Sequence, residues 1–357
     1  MIIGAGTLDT KGGRKINASA QVLDTDDRPI AGLYGAGNCI GSPAGQGIGR
    51  ADRRSVRRSH LARWLEGTPP GRVTAEGAHI NGATILVTGC SSGFGELAAQ
   101  TLARKGHRVF ASMRGVASKN AAAASRLLGW ANERALALEV ADMDVTDDRS
   151  VHACVDGVLR AAGHIDVVIN NAGRGSIGPI EAFSMTQIEQ LMSTNALGPI
   201  RVDRAVLPSM RRRGAGLLVH ISSTVGRVLP GPGGVYGATK WALEAFAESL
   251  SHEVKPFGID VAILEPGAYP ATATMARAVM PEHKDIAGEY AKVAAPFRLT
   301  VRDDSPQDVA DAIAKLIDTP AGYRPLRTVV GRVMTEGVAE FNAVYERTKT
   351  RLIESFE

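Results

Sequence analysis

Cysteine is nearly absent from this chain of 357 residues: there are three, Cys39, Cys90 and Cys154, odd in number and far apart. That excludes a disulfide framework and a cysteine-based metal cluster, and fits free thiols in a reducing cytosol. No stretch approaches the ~18 uninterrupted apolar residues that a membrane-spanning helix needs. The start, Met1-Ile2-Ile3-Gly4, has no basic leader and is interrupted by Asp9, so no secretory signal is read there. Disorder is excluded as well, because 44% of the residues are hydrophobic.

What is present begins with charge. The net charge is +4. Residues 50–72 hold seven arginines (50, 53, 54, 57, 58, 63 and 72) against Asp52 and Glu66, so this segment carries +5 and the remainder −1. The basicity belongs to one short segment. Without alternating aromatics it does not read as a nucleic-acid surface. It ends in Thr68-Pro69-Pro70-Gly71, a linker signal. Three regions follow: a glycine-rich extension at 1–49, an arginine-rich linker at 50–80, and a domain at 81–357.

From Ala83 onward, short apolar runs alternate with amphipathic stretches. The runs are Thr84–Val87, Arg108–Ala111, Ala135–Val140, Ile165–Ile169, Gly216–Ile221, Asp260–Leu264 and Thr328–Val330. They are rich in Val, Ile and Leu without clean alternation, as parallel strands covered on both faces are. Helices are expected over Gly95–Lys105, Asp148–Ala162, Met185–Arg213, Tyr236–Val254 and Pro306–Asp318, the last opened by Ser305. Ala121–Ala124 reads as a low-complexity tract. This alternation predicts an α/β, doubly wound parallel sheet.

Thr88-Gly89-Cys90-Ser91-Ser92-Gly93-Phe94-Gly95 follows the first strand and opens the first helix. Glycine lets the backbone turn tightly against a pyrophosphate, and the helix-start N–H groups meet its negative charge. The spacing is T-G-x-x-x-G-x-G. Asn170-Asn171-Ala172-Gly173 follows the fourth strand, and Tyr236-Gly237-Ala238-Thr239-Lys240 supplies Y-x-x-x-K thirteen residues after Ser223. Tyr236 and Lys240 share one helix face, where an ammonium favours a phenolate.

In this order the motifs resemble the short-chain dehydrogenases/reductases, over about residues 80–335. The resemblance implies a Rossmann fold and hydride transfer between a ketone or aldehyde and an alcohol. It implies Tyr236 as proton donor or acceptor, Ser223 as the residue holding the substrate oxygen (Ser222 is its neighbour), and Lys240 on the nicotinamide ribose. Asn195 is implied to hold a relay water. Cofactor contacts are implied at Gly89, Ser91, Ser92, Gly93, Phe94, Gly95, Asn171, Ala172, Gly173, Pro266 and Gly267. Where the family often has a threonine after this turn, the chain has Ala271, leaving Thr272 as a candidate. Asp144, followed by Val145, matches the adenine-contacting position, with Asp142 close by. At the end of the second strand stand Ser112, Met113 and Arg114, where NAD-preferring members have a carboxylate; a guanidinium there suits a 2′-phosphate. NADP(H) is expected over NAD(H), with no metal.

Residues 7–46 resemble the C-terminal part of a flavoprotein of the fumarate reductase and 3-ketosteroid dehydrogenase type, through Gly32-Leu33-Tyr34-Gly35-Ala36-Gly37-Asn38. FAD binding in that family also draws on a separate dinucleotide loop and a cap domain. The segment is therefore read as a remnant, and FAD is not expected. The overall expectation is a cytoplasmic NADP(H)-dependent oxidoreductase, a homodimer or homotetramer, acting on a hydrophobic small molecule. The apolar supply at 268–300 (Tyr269, Met275, Met280, Tyr290, Phe297) points to that substrate class. The alternatives are a non-catalytic cofactor sensor on the same fold and a bifunctional flavin/nicotinamide enzyme.

Overall fold

Seven runs of branched aliphatic residues become seven parallel strands, because a strand covered on both faces must be apolar on both. The structure, a computed structural model, describes residues 82–269, 278–294 and 304–355, and the backbone of 21–23 and 29–34. The strands are β1 (Thr84–Thr88), β2 (Arg108–Met113), β3 (Leu138–Asp142), β4 (Val167–Asn170), β5 (Gly216–Ile221), β6 (Ile259–Pro266) and β7 (Arg327–Val330). The helices are α1 (Gly93–Arg104), α2 (Ala121–Asn132), α3 (Asp148–Ala162), α4 (Met185–Met192), α5 (Gly198–Arg213), α6 (Gly234–Val254), α7 (Gln307–Asp318) and α8 (Thr335–Glu354). Short helices at Lys284–Glu289 and Ala291–Ala294 lie between β6 and α7.

The strand order is β3-β2-β1-β4-β5-β6-β7, all parallel. Helices α1, α2 and α7 pack over Ile85, Val87, Val109 and Ile169. Helices α3, α5 and α6 pack over Leu86, Phe110, Val168 and Leu218. Neighbours Ile85 and Leu86 thus enter opposite layers, as the two-residue period requires. Between β1 and β4 the winding reverses, which opens a crevice at the carboxyl ends of the strands.

The structure departs from the sequence expectation at particular elements. The predicted helix 185–213 is broken by a π-helical turn at Ser193–Leu197. The third strand starts at Leu138 and not at Ala135, because Leu136 N–H still caps α2 on the Ala131 carbonyl and Ala135 has φ +50°. The alanine tract opens helix α2, whose Ala124, Leu127 and Ala131 are buried; alanine is the best helix former. Helix α8 was not anticipated, because only Val338 and Asn342 are buried along its 20 residues. Helix α7 starts at Gln307 with Pro306 as its N-cap, and Ser305, expected in that place, stands one residue earlier and accepts from Gln307 N–H at 3.3 Å.

The chain divides into two units between Pro70 and Gly71. In the first, strands Gln21–Leu23 and Pro29–Tyr34 pair antiparallel. The arginine-rich segment, Cys39, Ala271, Thr272, Met275 and Phe297 lie outside the described residues.

Candidate active site

The glycine-rich turn is shaped by close approach. Gly89 has φ +75°, and a Cβ there would sit 2.8 Å from the Ala172 Cα. A Cβ on Gly95 would strike the Asn171 side-chain amide and the Gly89 carbonyl. That amide donates to the carbonyls of Thr88 and Gly89, at 2.8 and 3.2 Å. Thr88 Oγ1 in turn accepts from the N–H groups of Asn171 and Ala172, at 3.0 and 2.9 Å. Asn171, expected as a cofactor contact, is a clamp that holds the loop to the end of β4. Thr88 is the other half of that clamp, and its place in T-G-x-x-x-G-x-G was the signal for it.

The helix start fits a dinucleotide pyrophosphate. Ser92 is the N-cap of α1 and makes no side-chain cap bond. Gly93 has φ +65°, with open space where a Cβ would stand. Helix-start N–H groups of this kind suit phosphate. Ser91 presents its carbonyl to Arg126 Nη2 at 3.4 Å. The Phe94 ring packs edge-on to Tyr269, with centroids 5.2 Å apart. Tyr269, counted above with the substrate-side apolar residues, is buried there.

At the end of β2, Met113 is buried and Arg114 is not. Ser112 points inward, donating to the Val87 carbonyl at 3.1 Å, and is therefore not available to a phosphate. Asp142 Oδ1 accepts from Gly115 N–H at 2.8 Å and holds the loop. Asp144 accepts from the Thr146 N–H and hydroxyl at 3.0 and 2.7 Å, and its other oxygen lies 3.8 Å from Arg114. Burial alone raises the Asp144 carboxyl; the Thr146 bonds and the Arg114 and Lys119 cations outweigh it, leaving a lowered pKa. Val145 turns into the core against Gly198.

Ser223, Tyr236 and Lys240 meet at the ends of β5 and α6. The Ser223 side chain lies near enough to Tyr236 to lower its pKa, and its Oγ donates to the Pro266 carbonyl at 3.4 Å. Gly267 N–H donates to Val330 O at 2.8 Å, so the Pro266-Gly267 turn is tied to β7. Lys240 Nζ donates to the Ile221 carbonyl at 2.7 Å and stands 5.8 Å from the centre of the Tyr236 ring. Burial pushes Tyr236 up to about 12, with the Ser223 bond pulling the other way. Burial also pushes Lys240 down to about 8, opposed by the Glu244 carboxylate. The expected lowering of the tyrosine by its lysine is not found: burial raises the phenol, and Ser223 is the group that opposes it.

Asn195 lies in the π turn, fully buried. Its Oδ1 accepts from Arg174 N–H at 2.8 Å; its Nδ2 donates to Arg174 O at 2.8 Å and Thr239 Oγ1 at 3.0 Å. A Cβ on Gly173 would lie 3.4 Å from Asn195 Oδ1 and 3.7 Å from Lys240 Nζ, so both polar groups face the Gly173 backbone. Thr239, within the Y-x-x-x-K motif, links Asn195 to the start of α6 by donating to the Tyr236 carbonyl at 2.7 Å.

Beside the loop that leads into Tyr236 is a cavity of about 540 Å³, lined by Pro179, Ile180, Glu181, Pro232, Gly234 and Tyr290. Across it the Tyr290 hydroxyl donates to Glu181 Oε2 at 2.6 Å. Ile180, which lines it, is exposed, and Ile177, Leu229 and Met280 are exposed as well.

Residues 83–282, more than half of the chain, match the family described as short chain dehydrogenase. The chain belongs to that family. This short-chain dehydrogenase is 34% identical to retinol dehydrogenase 8 of Homo sapiens over 295 residues, which cover 76% of this chain and 90% of that protein. It is 33% identical over 252 residues to 3-ketodihydrosphingosine reductase of Bacteroides thetaiotaomicron, covering 69% of this chain and 87% of that protein. The crystal structure of a short-chain dehydrogenase from Streptomyces avermitilis superposes with a TM-score of 0.64 at 33% identity, covering 77% of this chain and 96% of that one. Residues 2–51 separately match an FAD binding domain. The short-chain dehydrogenase is thus an NAD(P)-dependent oxidoreductase of alcohols and carbonyl compounds. Among the described residues no helix is long and apolar enough to cross a membrane.

Proposed function

We propose that this short-chain dehydrogenase reduces an apolar ketone or aldehyde with NADPH, using Tyr236 as the acid. The observation that carries this is the convergence of Ser223, Tyr236 and Lys240, with Lys240 anchored on the Ile221 carbonyl at 2.7 Å. When bound, NADPH supplies the hydride to the carbonyl carbon. Ser223 holds the carbonyl oxygen, and the Tyr236 proton passes to it as the alcohol forms. A phenol pushed up to about 12 stays protonated at neutral pH, which suits the donating direction. The phenolate left behind is stabilised by the Lys240 ammonium, and Asn195 and Thr239 hold Lys240's surroundings in register.

Gly89, Gly93, Gly95 and the N–H groups after Ser92 would hold the pyrophosphate. Arg114 would take the 2′-phosphate, since Met113 offers no carboxylate to repel it. Asp144 and Val145 flank the adenine side. Ala172, Gly173, Pro266 and Gly267 flank the nicotinamide side. Exposed apolar side chains at Ile180, Leu229 and Met280, the first of them lining the cavity, support a hydrophobic substrate, as do the names of the retinol and 3-ketodihydrosphingosine relatives. We assign activity to residues 81–357, treat 1–49 as a flavoprotein-like remnant and 50–80 as a linker, and place the protein in the cytoplasm. Exposed Leu197, Trp241 and Phe246 on the π turn and α6 support a homodimer or homotetramer.

The test is NADPH oxidation at 340 nm by the purified chain with retinal, steroid ketones and long-chain ketones. Turnover of at least one, abolished in Tyr236→Phe, is expected. No turnover across the panel, or equal turnover in the variant, overturns the reading and restores the cofactor-sensor alternative. A purified protein that stays yellow through gel filtration would instead favour the flavin alternative.

A further inference from the structure

Helix α8 buries little apolar surface, yet it carries one of the three buried side-chain amides among the described residues. Asn342 Nδ2 donates to Glu265 Oε2 at 2.6 Å, and Asn342 Oδ1 accepts from Arg227 Nε at 2.8 Å. Both partners are buried: Arg227 is 5% exposed and Glu265 not at all. Their positions in the chain matter. Glu265 immediately precedes Pro266, whose carbonyl accepts from Ser223 Oγ. Arg227 follows the short turn Thr224–Gly226 that Ser223 caps. One side-chain amide therefore joins the two backbone segments on either side of Ser223.

The polarity of that amide is matched to its neighbours, donor to carboxylate and acceptor to guanidinium. Arg227 also lies over the rings of Phe341 and Tyr345 on the same helix, 5.0 and 4.5 Å from their centres. The loop it holds has no slack. A Cβ on Gly226 would lie 2.7 Å from Ser222 Oγ, 3.2 Å from Lys240 Cβ and 3.3 Å from Glu244 Cγ. A shift of Arg227 must therefore move the Ser223 turn against the helix that carries Tyr236 and Lys240.

We propose that Asn342 is a positioning residue for Ser223, and that α8 sets the active-site loop through the Arg227–Asn342–Glu265 bridge. This rests on the proposed role of Ser223.

The charged groups facing Glu265 are Glu244 of α6, Arg327 of β7 at 3.5 Å and Arg227 at 3.9 Å. Arg327 also binds Glu244 at 2.9 Å, Glu248 at 2.7 Å and Glu346 at 3.1 Å, and Lys349 pairs with Glu248 and Glu346 at 2.8 and 2.7 Å. Burial first and Glu244 second push the Glu265 carboxyl up; the Asn342 bond and the two arginines pull it down. A second carboxylate in place of Asn342 would meet Glu265 directly, and the two would have to share a proton.

The experiment compares the full chain with Asn342→Leu, Asn342→Asp and Lys349→Met. The last loosens the same helix without touching Arg227 or Glu265. Amide exchange is measured first, on protein without added cofactor. Asn342→Leu is expected to raise exchange in residues 222–230, while Lys349→Met raises it in 335–354 alone. With NADPH and all-trans-retinal, Asn342→Leu is expected to lose about ten-fold or more in kcat. Its NADPH Kd, read by cofactor fluorescence, should stay within about two-fold, and Lys349→Met should keep its kcat. Asn342→Asp should act nearly as wild type at low pH and lose kcat as pH rises, when the shared proton leaves. Exchange confined to 335–354 in Asn342→Leu overturns the proposal, as does an unchanged kcat. The exchange pattern needs no substrate, so a failure of retinal reduction in the wild type counts against the proposed reaction alone.

Discussion

Lys240 Nζ stands 5.8 Å from the centre of the Tyr236 ring, one helical turn away, with a hydrogen bond committed to the Ile221 carbonyl at 2.7 Å. Burial moves the two groups in opposite directions, the phenol up to about 12 and the ammonium down to about 8. Their protonation states at neutral pH are those of an acid beside a cation.

Removing the phenol tests that arrangement. Tyr236→Phe is expected to lower kcat for carbonyl reduction by about 10²- to 10⁴-fold. NADPH affinity should be nearly unchanged in a fluorescence titration. A variant with more than half the wild-type kcat would exclude Tyr236 as the proton source.

The pH profile tests the partner. As pH rises through about 8, Lys240 loses its proton and the phenolate formed in the reaction loses its counter-charge. Carbonyl-reduction kcat should therefore fall on the alkaline side of about 8, and Tyr236 itself does not titrate in that window. In Lys240→Met the residual rate should lack this limb; an alkaline limb that persists there would assign the titration elsewhere.

A buried pair makes a stability prediction. Asp203 Oδ1 accepts from Asn170 Nδ2 at 2.7 Å, and its Oδ2 lies 3.5 Å from His220 Nε2. Burial pushes Asp203 up to about 8 against the pull of Asn170; burial, then Lys240, pushes His220 down to about 4. At pH 7 the pair is neutral. The unfolded carboxyl ionises near 3.8, so between about 4 and 8 the folded chain binds the extra proton, and this group's contribution to stability falls as pH rises. Asp203→Asn should remove that slope. Its Tm should exceed the wild type by on the order of 10 °C at pH 8 and approach it near pH 4. Parallel Tm–pH curves would refute the assignment.

Cofactor choice turns on one guanidinium. Arg114→Ala is expected to weaken NADPH by about ten-fold and NADH by less than two-fold, consistent with losing one charge-assisted phosphate contact. Equal weakening of both, or a wild type that binds NADH more tightly, would remove Arg114 from 2′-phosphate recognition.

Much of the architecture was legible from local pattern. Gly216–Ile221 and Asp148–Ala162 match the observed elements at both ends, because burial on both faces or on one stripe leaves a periodic trace. Helix α8 left none, since ion pairs and Asn342 hold it in place of an apolar face. The predicted helix 185–213 carried a local trace of its π turn, in the weak helix formers Ser193-Thr194-Asn195 and the Gly198-Pro199 pair after them; the form of the break is set by Asn195 reaching the Arg174 backbone.

By itself the sequence determined the succession of the seven strands and part of the helices, the glycine turn, and the spacing that puts Tyr236 and Lys240 on one helix face. These follow from covalent neighbours and local periodicity. Only the tertiary structure decided that Asn171 clamps the loop, that Ser112 turns away from it, and that Asn342 reaches Arg227 across 115 residues. The physical reason is that a polar side chain's partner, once water is excluded, is set by whichever groups folding brings beside it. Burial also decided the proton affinities. It moved Tyr236 up, opposite to the direction its lysine neighbour suggested, because desolvation of the buried phenol is the largest influence on it and the Ser223 bond the opposing one.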